Sequence, residues 1–193
     1  MRSRLHGEVS STMGRGIVLC SLILGAALTR LLPHPPNFTP ITAIALFGGT
    51  LFPARWACFI TLGAMLLSDV ALGIVAGDWA VTFHPTLPAV YGSLILAVLL
   101  ASALLRPRFA LGRLVGVTVA SSLLFFVVTN FAVWLVGGLY PRTWEGLLAC
   151  YVAALPFFRN SFLGDMLYTG LLFGIAAALG YIPLPRFRAA GRG

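Results

Sequence analysis

The stretch Tyr151–Gly174, YVAALPFFRNSFLGDMLYTGLLFG, decides the fold. Its middle sets Arg159, Asn160 and Asp165 at the entrance of an apolar run that continues to Ile182. A membrane helix needs about 20 apolar residues, and 160–182 supplies them. Upstream, Leu147–Phe158 is too short to cross alone and carries Pro156. Proline inside a helix removes a hydrogen bond and clashes with the preceding turn. This half is therefore predicted to be a separate re-entrant or interfacial segment before the last helix. An ionised side chain at mid-bilayer costs about 2.5–3.5 kcal/mol or more, so charge at such an entrance is a functional candidate. The cluster reads as the rim of a solute-binding pocket.

Composition agrees with a membrane setting. The 193 residues are 59% hydrophobic and 9% charged, with a mean hydropathy of +0.96. Soluble domains carry about 25% charged residues, so this chain lacks the polar surface to face water all round. The net charge of +8 comes from thirteen Arg, no Lys and five acids. The arginines fall in short segments between apolar runs, with no basic face interleaved with aromatics, so no nucleic-acid partner is expected. Cys20, Cys58 and Cys150 are odd in number and lack C-x-x-C spacing, which points away from a disulfide framework or a zinc site. No Walker A loop and no G-x-S-x-G is present. No cofactor and no catalytic residue are predicted.

Taken in order, residues 1–15 read as a cytoplasmic tail, 16–182 as a single polytopic membrane domain, and 183–193 as a basic cytoplasmic tail. The predicted spans are 16–32, 39–52, 57–77, 89–105, 114–136 and 160–182. The second is short and interrupted by Pro40 and Gly48-Gly49. Such a segment is tolerated at membrane depth only when buried or lining a cavity, so it is expected to wall the pocket. Six crossings with the N-terminus inside put ten arginines in the cytoplasm and leave Arg30, Arg142 and Arg159 outside. A seventh crossing through 147–158 would send the basic tail outward. The expected fold is an all-α integral membrane protein of six transmembrane helices in the bacterial inner membrane, both termini cytoplasmic.

The same topology pools polar residues on the outer side: His34, Asn37, Asp69, His84, Asn130, Trp134, Tyr140, Arg159, Asn160, Asp165 and Tyr168. Together they form the predicted substrate site, and each has a plainer role beside it. Asp69 either lines the pocket or has a structural role, capping the outer end of its helix or pairing with Arg30. Asp165 suits a helix start, where a carboxylate favours the macrodipole. Trp134 and Tyr140 suit an interfacial aromatic belt. Asn130 serves equally as interhelical glue. His84, in a loop before Pro85, is a structural histidine or a soft-metal ligand through neutral imidazole. The functions compatible with this set are a solute-binding transport component, a membrane enzyme using Asp69 and Asp165 as an acid/base pair, or a non-transporting assembly subunit.

Four runs carry a resemblance: LLPHPPNFTPITAIALFGG (31–49), LLSDVALG (66–73), FFVVTNFAVWL (125–135) and YPRTWEGLLACYVAALPFFRNSFLGDMLYTGLLFG (140–174). They resemble uncharacterised bacterial membrane proteins described as transporters. That group is in turn similar to the substrate-binding S components of energy-coupling-factor vitamin transporters, and most to solitary BtuM-type cobalamin proteins. The resemblance implies an S-component-like six-helix fold and uptake of a vitamin-sized solute, a corrinoid first, from the extracytoplasmic side. It also implies an ATP-driven energy-coupling module as partner beside the membrane lipids. In the BtuM-type proteins a loop cysteine ligates cobalt. Here 77–88 has no cysteine, and His84 is the residue there that would replace it as axial ligand.

Overall fold

The computed structural model describes residues 2–182. Six α-helices follow one another: α1 Arg2–Leu28, α2 Ile41–Leu51, α3 Ala54–Ala76, α4 Leu87–Leu104, α5 Leu111–Val136 and α6 Trp144–Ala178. A single 3₁₀ turn at Thr29–Leu31 extends the end of α1, and another at Trp79–Val81 follows α3 after the left-handed Gly77 has ended it. The tail expected over 183–193 lies outside the described residues, and helix α1 reaches back through the basic segment to Arg2.

The architecture is a ring around a stub. Helices α1, α3, α4, α5 and α6 touch in that cyclic order, with α6 closing onto α1, and α2 touches all five from the centre. Nine of the eleven residues of α2 are buried, so a helix apolar on every side occupies the axis. Phe47 meets Phe173 edge to face at 5.4 Å, and Phe173 stacks on Phe109 at 5.8 Å. The ring's outer surface is also apolar: Ile17, Phe59, Leu67, Val75, Leu123 and Val152 are all exposed. Five helices are long and apolar enough to cross a membrane, α2 being the exception.

Two expectations are corrected. Gly48-Gly49 does not break the second helix; α2 runs unbroken from Ile41, just past Pro40, to Leu51. The glycines are there for approach. A Cβ at Gly49 would run into the Val98 carbonyl oxygen and reach 2.9 Å from Ala101 Cβ, so α2 and α4 touch backbone to backbone. Nor is 147–158 a separate segment. It is the first half of α6, a single helix of 35 residues with Pro156 inside it. Proline costs that helix one backbone hydrogen bond, but the flanking turns are continuous, and α6 packs on α5, α2 and α1. The helix starts at Thr143, whose Oγ1 accepts the Gly146 N–H at 3.2 Å, and at about 1.5 Å per residue it extends some 52 Å.

Candidate functional site

The mismatch in helix length makes the site. Eleven residues of α2 span about 16 Å, whereas the 26 of α5 span about 39 Å. The turns that α2 lacks leave a hollow of about 360 Å³ above its N-terminus. Thr39, Ile41 and Thr42 form its floor. The approach to the floor is tight, because Gly164 of α6 passes Thr39 so closely that a Cβ there would lie 3.1 Å from the Thr39 nitrogen. Asn37 sits at the rim in the left-handed region, φ 63°, a conformation Asn accepts more readily than most residues.

One wall is an ion pair. Arg30, in the 3₁₀ turn after α1, places Nη1 2.7 Å from Asp69 Oδ1 on α3. Tyr91 Oη of α4 donates to the other carboxylate oxygen at 3.1 Å. Arg30 also donates to Ser68 Oγ and approaches Met65 Sδ at 3.2 Å. Thr82, 1% exposed, donates to the Asp69 carbonyl at 2.7 Å and fastens the 79–82 turn over the end of α3. Gly73 makes room for that turn. Of the two readings of Asp69, pairing with Arg30 holds, and the pair itself lines the cavity.

The opposite wall carries Asp165, 3% exposed. Ser122 Oγ of α5 donates to its Oδ2 at 2.6 Å, and Thr42 lines the same hollow from the floor. Among the described residues the sole ion pair is Arg30–Asp69, so Asp165 has no cationic partner there. Between the two walls stand Phe125, Phe126, Thr129, Asn130 and Val133 of α5 and Ala154, Phe157, Phe158 and Ser161 of α6. Phe126 and Phe158 lie 4.7 Å apart, tilted by 42°.

Five of the predicted site residues line this one cavity: Asn37, Asp69, His84, Asn130 and Asp165. The other six do not. His34 is exposed and closes its own turn on the carbonyls of Pro35 and Arg30. Trp134 Nε1 donates to the Pro141 carbonyl at 3.0 Å, pinning the connection after α5. Tyr140 is half-buried in that connection. Tyr168 accepts from Thr29 Oγ1 at 3.1 Å and joins α6 to the end of α1. Asn160 Nδ2 donates to the Pro36 carbonyl at 3.0 Å, and Arg159 is exposed.

Helical phase explains the last two. At about 100° per residue, Arg159 lies about 240° around the helix from Asp165, and Asn160 about 140°. Ser161, Phe158 and Ala154 fall within about 40° of it and Phe157 within about 80°, and all four line the cavity. The phase of Asn160 is readable within the predicted span 160–182; a break at Pro156 hides that of Ala154 and Phe158. Tyr91 and Ser122 were missed for another reason. Each is an unremarkable residue on its own helix, and only the carboxylate it meets gives it a role. Among the described residues no three His, Cys, Asp or Glu gather closely enough to hold a metal ion. His84 stands alone, Nδ1 2.8 Å from Thr86 Oγ1.

The other end of α2 is different in character. There Arg15, Thr50, Leu51, Arg106, Phe109 and Tyr181 surround a hollow of about 190 Å³. Arg15 donates to the Tyr181 carbonyl at 3.1 Å and lies 5.2 Å above its ring. Asp69 and Asp165, with Arg30, thus stand at one end of the ring and Arg15 and Arg106 at the other.

An all-helical chain with five membrane-length apolar helices and a polar cavity sunk at one end is of the multi-pass membrane class. Residues 10–186 match the model of a family of unknown function, DUF6580, and the chain belongs to that family. Neither the curated proteins nor the solved structures compared with it contain a match.

Proposed function

We propose that this protein is the solute-binding component of a membrane uptake system, taking a vitamin-sized solute from the extracytoplasmic side into the cavity above α2. The observation that carries the reading is convergence. Asp69, Asn130 and Asp165 come from three different helices and face one hollow, while the centre below it is filled by the apolar α2. Concave sites with a few convergent polar groups among apolar walls are how small ligands are held. In this reading the chain crosses the inner membrane six times, α2 included, with both termini in the cytoplasm. The arginine-lined end then faces inward, in accord with the positive-inside rule.

Size bears on the solute. Ligand pockets run from about 300 to 1,000 Å³, so a hollow of about 360 Å³ holds a one-ring vitamin whole. A corrinoid, the first expectation from the resemblance, would enter only in part. His84 Nε2 would then be the ligand offered to cobalt, Nδ1 being engaged by Thr86. Asp69 is held by Arg30 and Tyr91, which disfavours an acid/base pair with Asp165. Energy for inward release would come from an ATP-driven partner, since the chain has no nucleotide-binding motif.

Native mass spectrometry of gently extracted protein tests the proposal. A co-purified small molecule, lost when the lining is altered by A154W, is the expected result. No co-purified molecule, together with no shift in thermal stability across a panel of vitamins that includes corrinoids, would sink it.

A further inference from the structure

The lining of the cavity shows what charge and what hydrogen-bonding character its occupant has. Its formal charges are Arg30, Asp69 and Asp165. Arg30 and Asp69 cancel at 2.7 Å, which leaves the carboxyl group of Asp165 as the charge without a counterpart. Among the described side chains, no cation reaches it from the helices that pack on α6. Helix α2 has no ionisable residue; Arg113 of α5 donates to the carbonyls of Leu104 and Arg108 at the far end; Arg15 and Arg30 of α1 and its 3₁₀ turn are engaged with Tyr181 and Asp69. The neighbouring histidine, His84, bonds Thr86.

A second observation is independent of charge: several polar groups in and around the lining give a hydrogen bond to a backbone carbonyl or to a carboxylate. Asn130 Nδ2 donates to the Phe126 carbonyl at 2.8 Å, and Thr129 Oγ1 to that of Phe125 at 2.7 Å. Ser161 Oγ reaches the carbonyls of Phe157 and Phe158 at 3.2 and 3.1 Å. Ser122 donates to Asp165, and Tyr91 to Asp69. Arg30 Nε has no partner, but it is shut away from solvent. Beside the second N–H of Asn130, these side chains offer the hollow acceptors: the Asp165 carboxylate, Asn130 Oδ1 and hydroxyl lone pairs. The flanking wall is the faces and edges of Phe125, Phe126, Phe157 and Phe158, and aromatic faces attract cations.

On the reading of the hollow as a solute site, we propose that its occupant is a small organic cation that donates hydrogen bonds, built on a flat ring. Its charged nitrogen pairs with Asp165, its ring lies along the Phe126–Phe158 wall, and its remaining N–H groups meet Asn130 Oδ1 and Ser161 Oγ. Arg30 and Asp69 close the far side as a neutral pair.

Three near-isosteric probes separate the charges: benzamidinium, benzamide and benzoate. Each is added at millimolar concentration to the purified full chain in detergent, and binding is read by thermal unfolding and by titration calorimetry. Benzamidinium is expected to raise Tm and to bind about tenfold or more tightly than benzamide, a difference of about 1.4 kcal/mol, with benzoate inactive. D165N is expected to abolish the preference, while S122A, which keeps the charge, retains it. Equal or better binding of benzamide or benzoate, no effect of benzamidinium on the wild type, or a preference that survives in D165N would each overturn the proposal. The wild-type series stands even where a variant fails to fold. A neutral or anionic solute found bound by native mass spectrometry would refute the cation assignment and leave the uptake reading intact.

Discussion

Replacing Arg30 with methionine isolates the most heavily engaged contact of the cavity. The guanidinium and the Asp69 carboxylate are 11% and 6% exposed, so neither relies on bulk water. Removing one partner of a buried ion pair costs about 3–5 kcal/mol, because the other charge is left uncompensated. Here Asp69 keeps Tyr91 as a donor and borders a wettable hollow, which places R30M at the lower end, about 3 kcal/mol. D69N alone leaves a cation facing an amide and is expected to cost about 2 kcal/mol, within the range for lost charged hydrogen bonds. The double variant R30M/D69N removes both charges and should cost much less than the sum. The coupling energy from that cycle is expected at about 2 kcal/mol. The assay is reversible unfolding by SDS in mixed micelles, followed by tryptophan fluorescence and far-ultraviolet circular dichroism. A coupling at or below about 0.5 kcal/mol, the level of a solvent-exposed pair, would refute the claim that this bridge is buried and structural.

Other substitutions follow from the same packing. G49A should destabilise by about 1–3 kcal/mol through overpacking against the α4 backbone. G63A, where a Cβ meets nothing within 4 Å, should be neutral or slightly stabilising in the same unfolding assay. Y91F removes the donor to Asp69 Oδ2 and is expected to lower stability by about 1 kcal/mol, with the Arg30–Asp69 coupling rising in a repeat of the cycle. W134F deletes the bond to the Pro141 carbonyl for about 1 kcal/mol. It should leave the affinity for any co-purified solute unchanged in calorimetry, because Trp134 stands outside the cavity.

Much of this molecule was readable in advance, for a local reason. Hydrophobic runs of membrane length lie within single segments, so α1, α3, α4 and α5 were legible from composition along the chain. The polar pooling was legible too, because it depends only on which end of a run a residue occupies. Asn37, Asp69, His84, Asn130 and Asp165 were found that way. Pro156 and Gly48-Gly49 misled because local propensity treats them as breaks. In the packed molecule α6 continues as one helix through Pro156 against α5, α2 and α1, and Gly49 is what lets α4 reach α2.

By itself, then, the order of residues determined an all-helical membrane chain with its polar groups at one end, since hydropathy and position within a run are properties of neighbours in sequence. Tertiary structure alone decided that α2 sits at the axis, that its shortness hollows out the site, and which side chains face the hollow. Ser122 reaches Asp165 across 43 residues of sequence. Helical periodicity tells which side of its own helix a residue occupies, but which neighbour stands there is settled only when the ring closes.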